Sequence, residues 1–180
     1  RRREPAATDR RGAHRAPSTP RTVSESHTVS DERNPMKLIF GCDPNAAEFK
    51  KALMARAVEL GHEVEDYGSD DPIYANVATR VAEDVVAGGA DRGVVVCGTG
   101  IGVSIAANKV RGAYCACVAD VYQAQRATLS NNANLIAMGS QVLGIETAKV
   151  LLENYLANEF DPASRSGVKV ARICEYETEH

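Results

Sequence analysis

The sequence predicts an α/β protein: a three-layer α/β/α, Rossmann-like fold built on a five-stranded parallel sheet. Strand-like and helix-like segments alternate along the chain from residue 37 onward. Two predicted strands, residues 37–42 and 94–97, are short apolar runs without polar alternation, which is typical of strands buried on both faces of a parallel sheet. Strands that alternate with helices place those helices on both faces of the sheet.

The elements follow one another with glycine-containing breaks between them. Gly61 closes the first helix, Gly68 stops the second strand, and Gly88 ends the second helix. The five strands are predicted at residues 37–42, 63–67, 94–97, 113–118 and 134–138. The helices are predicted at residues 46–60, 74–87, 103–109, 122–129 and 144–158. A polar break at 161–167 precedes a last short element near residues 168–173.

Residues 1–35 differ in composition from the rest and are predicted to be a disordered N-terminal extension, followed by a single domain at residues 36–180. The extension contains eight Arg, no Lys, five acidic residues and few apolar ones. Such a segment cannot bury enough surface to offset its ordering entropy. A targeting leader is the alternative, and the acidic residues argue against it.

Charge and cysteine content exclude several classes of function. Residues 36–180 contain 13 basic and 19 acidic residues, so they offer no basic surface for nucleic acid. No apolar run reaches the roughly 20 residues of a membrane span. We expect no metal site, a reducing, cytoplasmic location, and core positions for Cys115 and Cys117. The cysteines lack metal-site spacing; they are Cys42, Cys97, Cys115, Cys117 and Cys174.

Between residues 92 and 110 the chain combines a strand, a glycine-rich loop and a helix. Cys97 ends the strand, and Gly98, Gly100 and Gly102 follow it. Glycines let backbone N–H groups approach a ligand, and the start of a helix adds positive potential, so the arrangement is typical of an anion site. A thiolate there would be a base or nucleophile beside an oxyanion hole. The alternatives are a tight turn and an inert core cysteine, because the spacing fits neither the dinucleotide nor the Walker motif.

Two predicted strands end at residues that can take part in chemistry. Asp43 follows the first strand, and Cys97 ends the third. Ligands of parallel sheets bind beyond the carboxyl ends of the strands. We therefore expect Asp43, Cys97 and the amides of residues 98–102 to share one edge of the sheet. A helix N-cap is the alternative for Asp43.

Several motifs resemble the ribose-5-phosphate isomerase B family, which includes the galactose-6-phosphate isomerase subunits. The resemblance covers residues 36–175 and implies a Rossmann-like fold that needs no metal or other cofactor. It also implies a homodimer or homotetramer with active sites shared between subunits, and interconversion of aldose and ketose phosphates through a cis-enediol. The motifs are Gly41-Cys42-Asp43, Tyr74-Ala75, Cys97-Gly-Thr-Gly-Ile-Gly, Ala106-Ala107-Asn108-Lys109, and Asn131 with Asn134.

The resemblance implies catalytic roles for residues at the glycine loop. Cys97 matches the base that moves the proton, and Asp43 matches a carboxylate that holds sugar hydroxyls. Thr99 and the loop amides match the group that stabilises the enediolate. A second branch of the family uses a glutamate at the position of Val103, so this chain resembles the cysteine branch. The loop glycines are Gly98, Gly100 and Gly102.

The resemblance also implies substrate contacts. Tyr74 matches a side chain that lines the sugar, Asn131 matches an asparagine at the reacting end, and Ser130 stands beside it. Arg165 and Lys169 match two phosphate-binding arginines if one residue is inserted at 162–164. Ordinary surface charge is the alternative for this pair.

Two positions depart from the family pattern. The histidine that opens a furanose ring is Ser130 here, and a histidine that often follows the first-strand aspartate is Pro44. Either another group opens the ring or the substrate has none, as in a tetrose 4-phosphate. These two departures, together with residues 129–133 and 160–166, resemble the erythritol-pathway branch of the family. That branch interconverts erythrulose 4-phosphate and erythrose 4-phosphate. Ribose-5-phosphate isomerase and a non-catalytic subunit of a hetero-oligomer are the alternatives.

Overall fold

The protein folds around five parallel strands with helices on both faces of the sheet. The computed structural model describes residues 34–180, so the predicted disordered extension lies outside the described residues except for its last two. The predicted class and the five-stranded parallel sheet are confirmed. The strands are β1 (Lys37–Cys42), β2 (Glu63–Asp66), β3 (Arg92–Cys97), β4 (Cys115–Cys117) and β5 (Leu135–Gly139), in the order β2-β1-β3-β5-β4. The helices are α1 (Ala47–Glu59), α2 (Tyr74–Val86), α3 (Ile101–Ala107), α4 (Val121–Asn131), α5 (Ile145–Leu156) and α6 (Gly167–Glu179), with a 3-10 turn at Pro44–Ala46.

Successive residues of the central strands alternate between two apolar cores, one on each face of the sheet. In β3, Val94 and Val96 belong to the core under α1, α4 and α5, whereas Val95 and Cys97 belong to the core under α2 and α3. All four residues are buried. A strand that packs on both faces needs an uninterrupted apolar run, which explains the pattern in the sequence.

The edge strand β4 is shorter than predicted, and asparagine side chains take over part of its backbone hydrogen bonding. Asn108 Oδ1 accepts from the N–H of Cys115 over 2.9 Å, and Asn108 Nδ2 donates to the Cys115 carbonyl over 2.8 Å. Asn134 Oδ1 accepts from the N–H of Tyr114 over 2.8 Å, and its Nδ2 donates to the Gly112 carbonyl over 2.9 Å. Asn108 and Asn134, which belong to the motifs named above, therefore fix the backbone at the start of the edge strand β4.

The prediction of a short last element near residues 168–173 was wrong, because α6 extends to Glu179. Val170 is the only buried residue of α6, so the core fixes little of the helix. Polar contacts attach the helix instead. Glu177 accepts one hydrogen bond from the N–H of Gly112 over 2.9 Å and another from the hydroxyl of Tyr114 over 3.0 Å.

Contacts at the two ends of β3 mark the two ends of the parallel strands, here called the carboxyl edge and the amino edge of the sheet. At the carboxyl edge, the N–H groups of Asp43 and Ser140 donate to β3 carbonyls over 3.3 and 2.9 Å. At the amino edge, Arg92 begins β3, and its guanidinium donates to Thr128 Oγ1 of α4 over 3.5 Å. Helix α4 therefore ends at the amino edge, opposite the glycine loop.

Candidate active site

Cys97 is the last residue of β3, and its sulfur contacts the glycine loop. The side chain is 5% exposed, and its Sγ accepts a hydrogen bond from the N–H of Gly100 over 3.2 Å. The carbonyl oxygen of Cys97 accepts two further hydrogen bonds, both from Ser140. The N–H of Ser140 donates over 2.9 Å, and the Ser140 hydroxyl donates over 3.3 Å. The chain just after β5 thus fixes the residue predicted to be the base.

The glycine loop lies so close to the end of β5 that side chains are excluded from it. A Cβ on Gly100 would lie 2.9 Å from a β5 carbonyl carbon, and Gly100 has a φ of 80°, in the left-handed region. A Cβ on Gly139 would lie 2.6 Å from the carbonyl carbon of Thr99. Gly98 faces the side-chain amide of Gln141, and its carbonyl accepts from the Gln141 N–H over 2.9 Å. The loop backbone is therefore held in one position.

Thr99 and Tyr74 flank the loop on its exposed side. The hydroxyl oxygen of Thr99 accepts from the N–H of Ile101 over 3.4 Å, which leaves the hydroxyl proton available to a ligand. Gly102 lies in the first turn of α3, where a Cβ would come within 2.6 Å of the Tyr74 ring. The glycine thus lets Tyr74 pack against the loop. Tyr74 is 43% exposed, so part of its ring is open to a ligand.

Asp43 caps the turn that precedes α1, so the predicted N-cap is present. Its Oδ1 accepts from the N–H of Asn45 over 3.0 Å, and the residue is buried. Within residues 34–180 the other carboxylate oxygen has no hydrogen-bond partner. The cap uses one oxygen and leaves the second free to bind a hydroxyl group, so the two interpretations of Asp43 are compatible.

The remaining predicted residues line a groove of about 610 Å³ between α4 and α6, here called the α4–α6 groove. Arg165 and Lys169 lie in it as expected, and neither forms an ion pair within residues 34–180. Asn131 Nδ2 donates to the carbonyl of Arg126 on its own helix over 2.9 Å. No acidic residue among those described lines the groove, so its charge suits an anion. The lining residues are Tyr122, Arg126, Ser130, Asn131, Arg165, Ser166, Lys169, Val170 and Ile173.

A single chain does not bring all the predicted site residues together. The loop residues, Asp43 and Tyr74 lie at the carboxyl edge of the sheet, whereas α4 carries Ser130 and Asn131 to the amino edge. The five residues of β5 separate the two edges, a distance of roughly 16 Å. The predicted site residues therefore form two groups on each chain, here called half-sites: one at the glycine loop with Cys97, and one in the α4–α6 groove with Arg165 and Lys169.

The prediction that Cys117 lies in the core was wrong, because Cys117 ends the edge strand β4 and is exposed. A Cβ on Gly100 would lie 3.2 Å from its sulfur, so Cys117 borders the loop. Partial burial, and then the nearby Cys97, raise the pKa of Cys117. Cys115 is buried, as predicted, and burial raises its pKa to about 12, which leaves an unreactive thiol.

Sequence reasoning assigned no role to three polar side chains beside the half-sites. Ser140 directly follows β5, so the rule that ligands bind at strand ends was a signal for it. Arg126 precedes Ser130 by four residues, which places both on one face of α4. Gln141 offered no signal, because its contact with Gly98 depends on the turn after β5.

Comparisons with known proteins identify the family of this chain. A profile of the Ribose/Galactose Isomerase family matches residues 38–173. D-erythrulose-4-phosphate isomerase 2 from Mycolicibacterium smegmatis is 45% identical over 148 residues, which cover 79% of this chain and 97% of that protein. Ribose-5-phosphate isomerase B from Escherichia coli is 38% identical over 128 residues, which cover 69% of this chain and 86% of that protein.

A solved structure shows the same family relationship. Ribose-5-phosphate isomerase B from Clostridium thermocellum superposes with a TM-score of 0.76 at 35% identity, covering 80% of this chain and 99% of that one. The family match begins in β1 and ends in α6, so it includes every strand of the sheet and both half-sites. The chain therefore belongs to the ribose/galactose isomerase family of enzymes.

Proposed function

We propose that this chain is an aldose–ketose isomerase that acts on a phosphorylated sugar through a cis-enediol intermediate. The observation that supports it is the position of Cys97, whose Sγ lies 3.2 Å from the N–H of Gly100 at the sheet edge that also carries Asp43 and Tyr74. Proton transfer between neighbouring carbons requires a base beside hydrogen-bond donors for the developing oxyanion. This edge supplies both.

The proposed reaction moves one proton between two carbons. In the aldose-to-ketose direction the Cys97 thiolate takes the proton from C2, and the C–H electron pair forms the C1–C2 double bond as O1 becomes an oxyanion. Loop N–H groups and the hydroxyl of Thr99 stabilise this charge. A proton then passes from O2 to O1, and the thiol returns its proton to C1, leaving the ketone at C2. Asp43 holds the sugar hydroxyls.

The active site is proposed to form between two subunits of a homodimer or homotetramer. The base lies at one edge of the sheet and the α4–α6 groove at the other, so one sugar phosphate cannot reach both within a chain. The groove of a second copy, set against the glycine loop, would complete the site. Ile101 and Ile105 support this arrangement, because they lie one turn apart on α3 beside the loop and are 57% and 58% exposed.

A tetrose 4-phosphate is the proposed substrate. The name of the M. smegmatis relative specifies D-erythrulose 4-phosphate, and so does that of a Pectobacterium atrosepticum relative at 40% identity. A sugar with phosphate on O4 cannot close a furanose ring, so it needs no ring-opening group. The histidines of the described chain lie elsewhere: His62 Nδ1 accepts from the N–H of Met36 over 3.2 Å, and His180 stacks on Tyr176.

Ribose 5-phosphate is the second candidate substrate, supported by the names of the E. coli relative and the C. thermocellum structure. A coupled assay of the purified chain alone, with erythrulose 4-phosphate and ribose 5-phosphate side by side, tests both. We expect higher kcat/KM for the tetrose. Absence of turnover with either would favour the remaining alternative, a non-catalytic subunit of a hetero-oligomer.

Mixing two inactive variants tests the shared site. Cys97→Ala lacks the base, and Arg165→Ala/Lys169→Ala lacks two of the groove cations. In a mixed dimer one site receives Cys97 from one subunit and the cations from the other, so it is intact. Random exchange of equal amounts should restore about a quarter of wild-type kcat/KM, because half the dimers are mixed and each has one intact site. Recovery no greater than the sum of the separate variants would contradict a shared site.

A cytoplasmic location is also proposed. All five cysteines are free, which suits a reducing compartment. No helix among residues 34–180 has the length and apolar character needed to cross a membrane.

A further inference from the structure

We propose that Arg126 is a third phosphate-binding residue, and that it selects sugars that carry phosphate on C4. This inference rests on the proposed function. It adds a side chain of α4 to Lys169, which lies on α6, and to Arg165, which lies just before α6. It also assigns to that side chain the choice between tetrose 4-phosphates and longer substrates.

Arg126 has a guanidinium that no acidic group of the described residues neutralises. The residue is half-buried in the α4–α6 groove. Its guanidinium carbon lies 6.0 Å from the centre of the Tyr122 ring, and within residues 34–180 it forms no ion pair. Two other arginines of the described chain are engaged: Arg56 pairs with Glu153, and Arg92 donates to two backbone carbonyls. A partly buried guanidinium without hydrogen-bond partners loses hydration that an anionic ligand would restore.

The placement of Arg126 on α4 links it to the reacting end of the substrate. It precedes Ser130 by one helical turn on the same face, a separation of about 6 Å between Cβ atoms. Asn131, the predicted contact of the reacting end, donates to the carbonyl of Arg126 over 2.9 Å. A single rigid helix therefore sets the distance between Arg126 and the reacting carbons. Lys169 lies on α6 and Arg165 just before it, so their positions are set independently of α4.

Substrate length then decides which cations reach the phosphate. Removing one carbon from the sugar moves the phosphate toward the residues that hold C1 and C2, and thus toward α4. Arg126 is the one basic residue among those described that lines the groove from α4, so its contact grows as the substrate shortens. A guanidinium suits this task because its planar fork binds phosphate through two parallel hydrogen bonds.

The test is a kinetic comparison of Arg126→Met with the wild-type chain on erythrose 4-phosphate and ribose 5-phosphate. Loss of a charge-assisted contact should lower kcat/KM for the tetrose about 10- to 100-fold, mainly through KM, and for ribose 5-phosphate less than about threefold. Arg126→Lys should restore part of the tetrose activity. Arg172→Met is the matched control, because Arg172 lies on α6, pairs with Glu175 and Glu179, and does not line the groove.

Titration with inorganic phosphate gives a readout without turnover. Calorimetry should show phosphate binding to Arg126→Met about 10-fold more weakly than to the wild type and the Arg172→Met control. An equal loss on both sugars would overturn the length selection. Unchanged kinetics and phosphate affinity would overturn the whole inference. If the wild type isomerised neither sugar, the proposed function would fail on its own, and the phosphate titration would still decide whether Arg126 binds phosphate.

Discussion

Gly139 and Thr99 pack backbone against backbone: a Cβ on Gly139 would lie 2.6 Å from the carbonyl carbon of Thr99 and 2.7 Å from its oxygen. The end of β5 thus packs directly against the loop that follows Cys97. Because both contact atoms belong to the backbone, no side-chain rotation can relieve an overlap. The position of the loop amides therefore depends on the absence of a side chain in a different strand.

Gly139→Ala should displace the loop and reduce activity. We expect kcat/KM to fall about 10- to 100-fold, since misplacement of catalytic groups by about 1 Å can cost that much, and unfolding free energy to fall by about 1–3 kcal/mol. Steady-state kinetics and denaturant unfolding measure both. Gly144→Ala is the control, because a Cβ there meets no atom within 4 Å. Equal effects of the two substitutions would contradict the role of this packing.

Cys97→Ala should abolish isomerisation in a folded protein. The thiol is the base in the proposed mechanism, and removing a general base typically costs about 10²–10⁴-fold in rate. Activity and melting temperature should be measured together. Cys174→Ser controls for loss of a thiol, because Cys174 is exposed on α6 and Ser can still accept from the hydroxyl of Tyr114. Near-normal turnover by Cys97→Ala would remove Cys97 from the mechanism.

The fold could be predicted where burial alone shapes the sequence. The valines of β3 are continuous because both faces of the strand are covered, so the parallel sheet follows from them. The full length of helix α6 was not predicted, because the helix is attached by Glu177 and buries only Val170. Its length depends on polar contacts with Gly112 and Tyr114, which are distant in sequence.

The candidate site could be predicted only in parts. The strand-end rule placed Asp43 and Cys97 at one edge, because chain direction fixes that outcome. The groove depends instead on where α6 docks, and nothing local in the sequence specifies that. Arg126 therefore went unassigned, although its spacing from Ser130 was visible. Cys117 was misassigned because an alternating pattern cannot distinguish an edge strand from a central one.

Tyr67 should give the protein a stability change in the alkaline range. Its hydroxyl donates to Asp84 Oδ2 over 2.5 Å, and this hydrogen bond, followed by partial burial, raises the pKa of Tyr67 to about 12. An unfolded tyrosine titrates near pH 10. Because the folded pKa is the higher one, the stabilisation is complete below about pH 10 and is lost as pH rises toward about 12.

Replacing the tyrosine tests this pH dependence. Tyr67→Phe should lower the unfolding free energy by about 1.5 kcal/mol at neutral pH, as expected for a hydrogen bond to a charged group. The difference from wild type should shrink between about pH 10 and 12. Denaturant unfolding at several pH values measures it. Tyr176→Phe is the control, since the hydroxyl of Tyr176 makes no hydrogen bond within residues 34–180. A difference that stayed constant across this range would contradict the assignment.

Ser130→His should raise turnover of ribose 5-phosphate and leave tetrose turnover flat or lower. Ribose 5-phosphate is mostly cyclic in solution, so an enzyme without a ring-opening group depends on the scarce open form. Ser130 lines the α4–α6 groove, where the resemblance implies a ring-opening histidine. An imidazole there can act as an acid or base near neutral pH. The gain should be modest, because Pro44 is unchanged and catalysis depends on positioning as well as identity.

The measurement is kcat/KM for both sugars in wild type, Ser130→His and Ser130→Ala. The alanine variant is the control, since it removes the hydroxyl without adding a titratable group. A gain with ribose 5-phosphate in Ser130→His alone, largest above the histidine pKa if the neutral imidazole opens the ring as a base, would support an open-chain natural substrate. Fast wild-type turnover of ribose 5-phosphate without a preference for tetrose would instead favour ribose 5-phosphate, since Ser130 would then not limit the reaction.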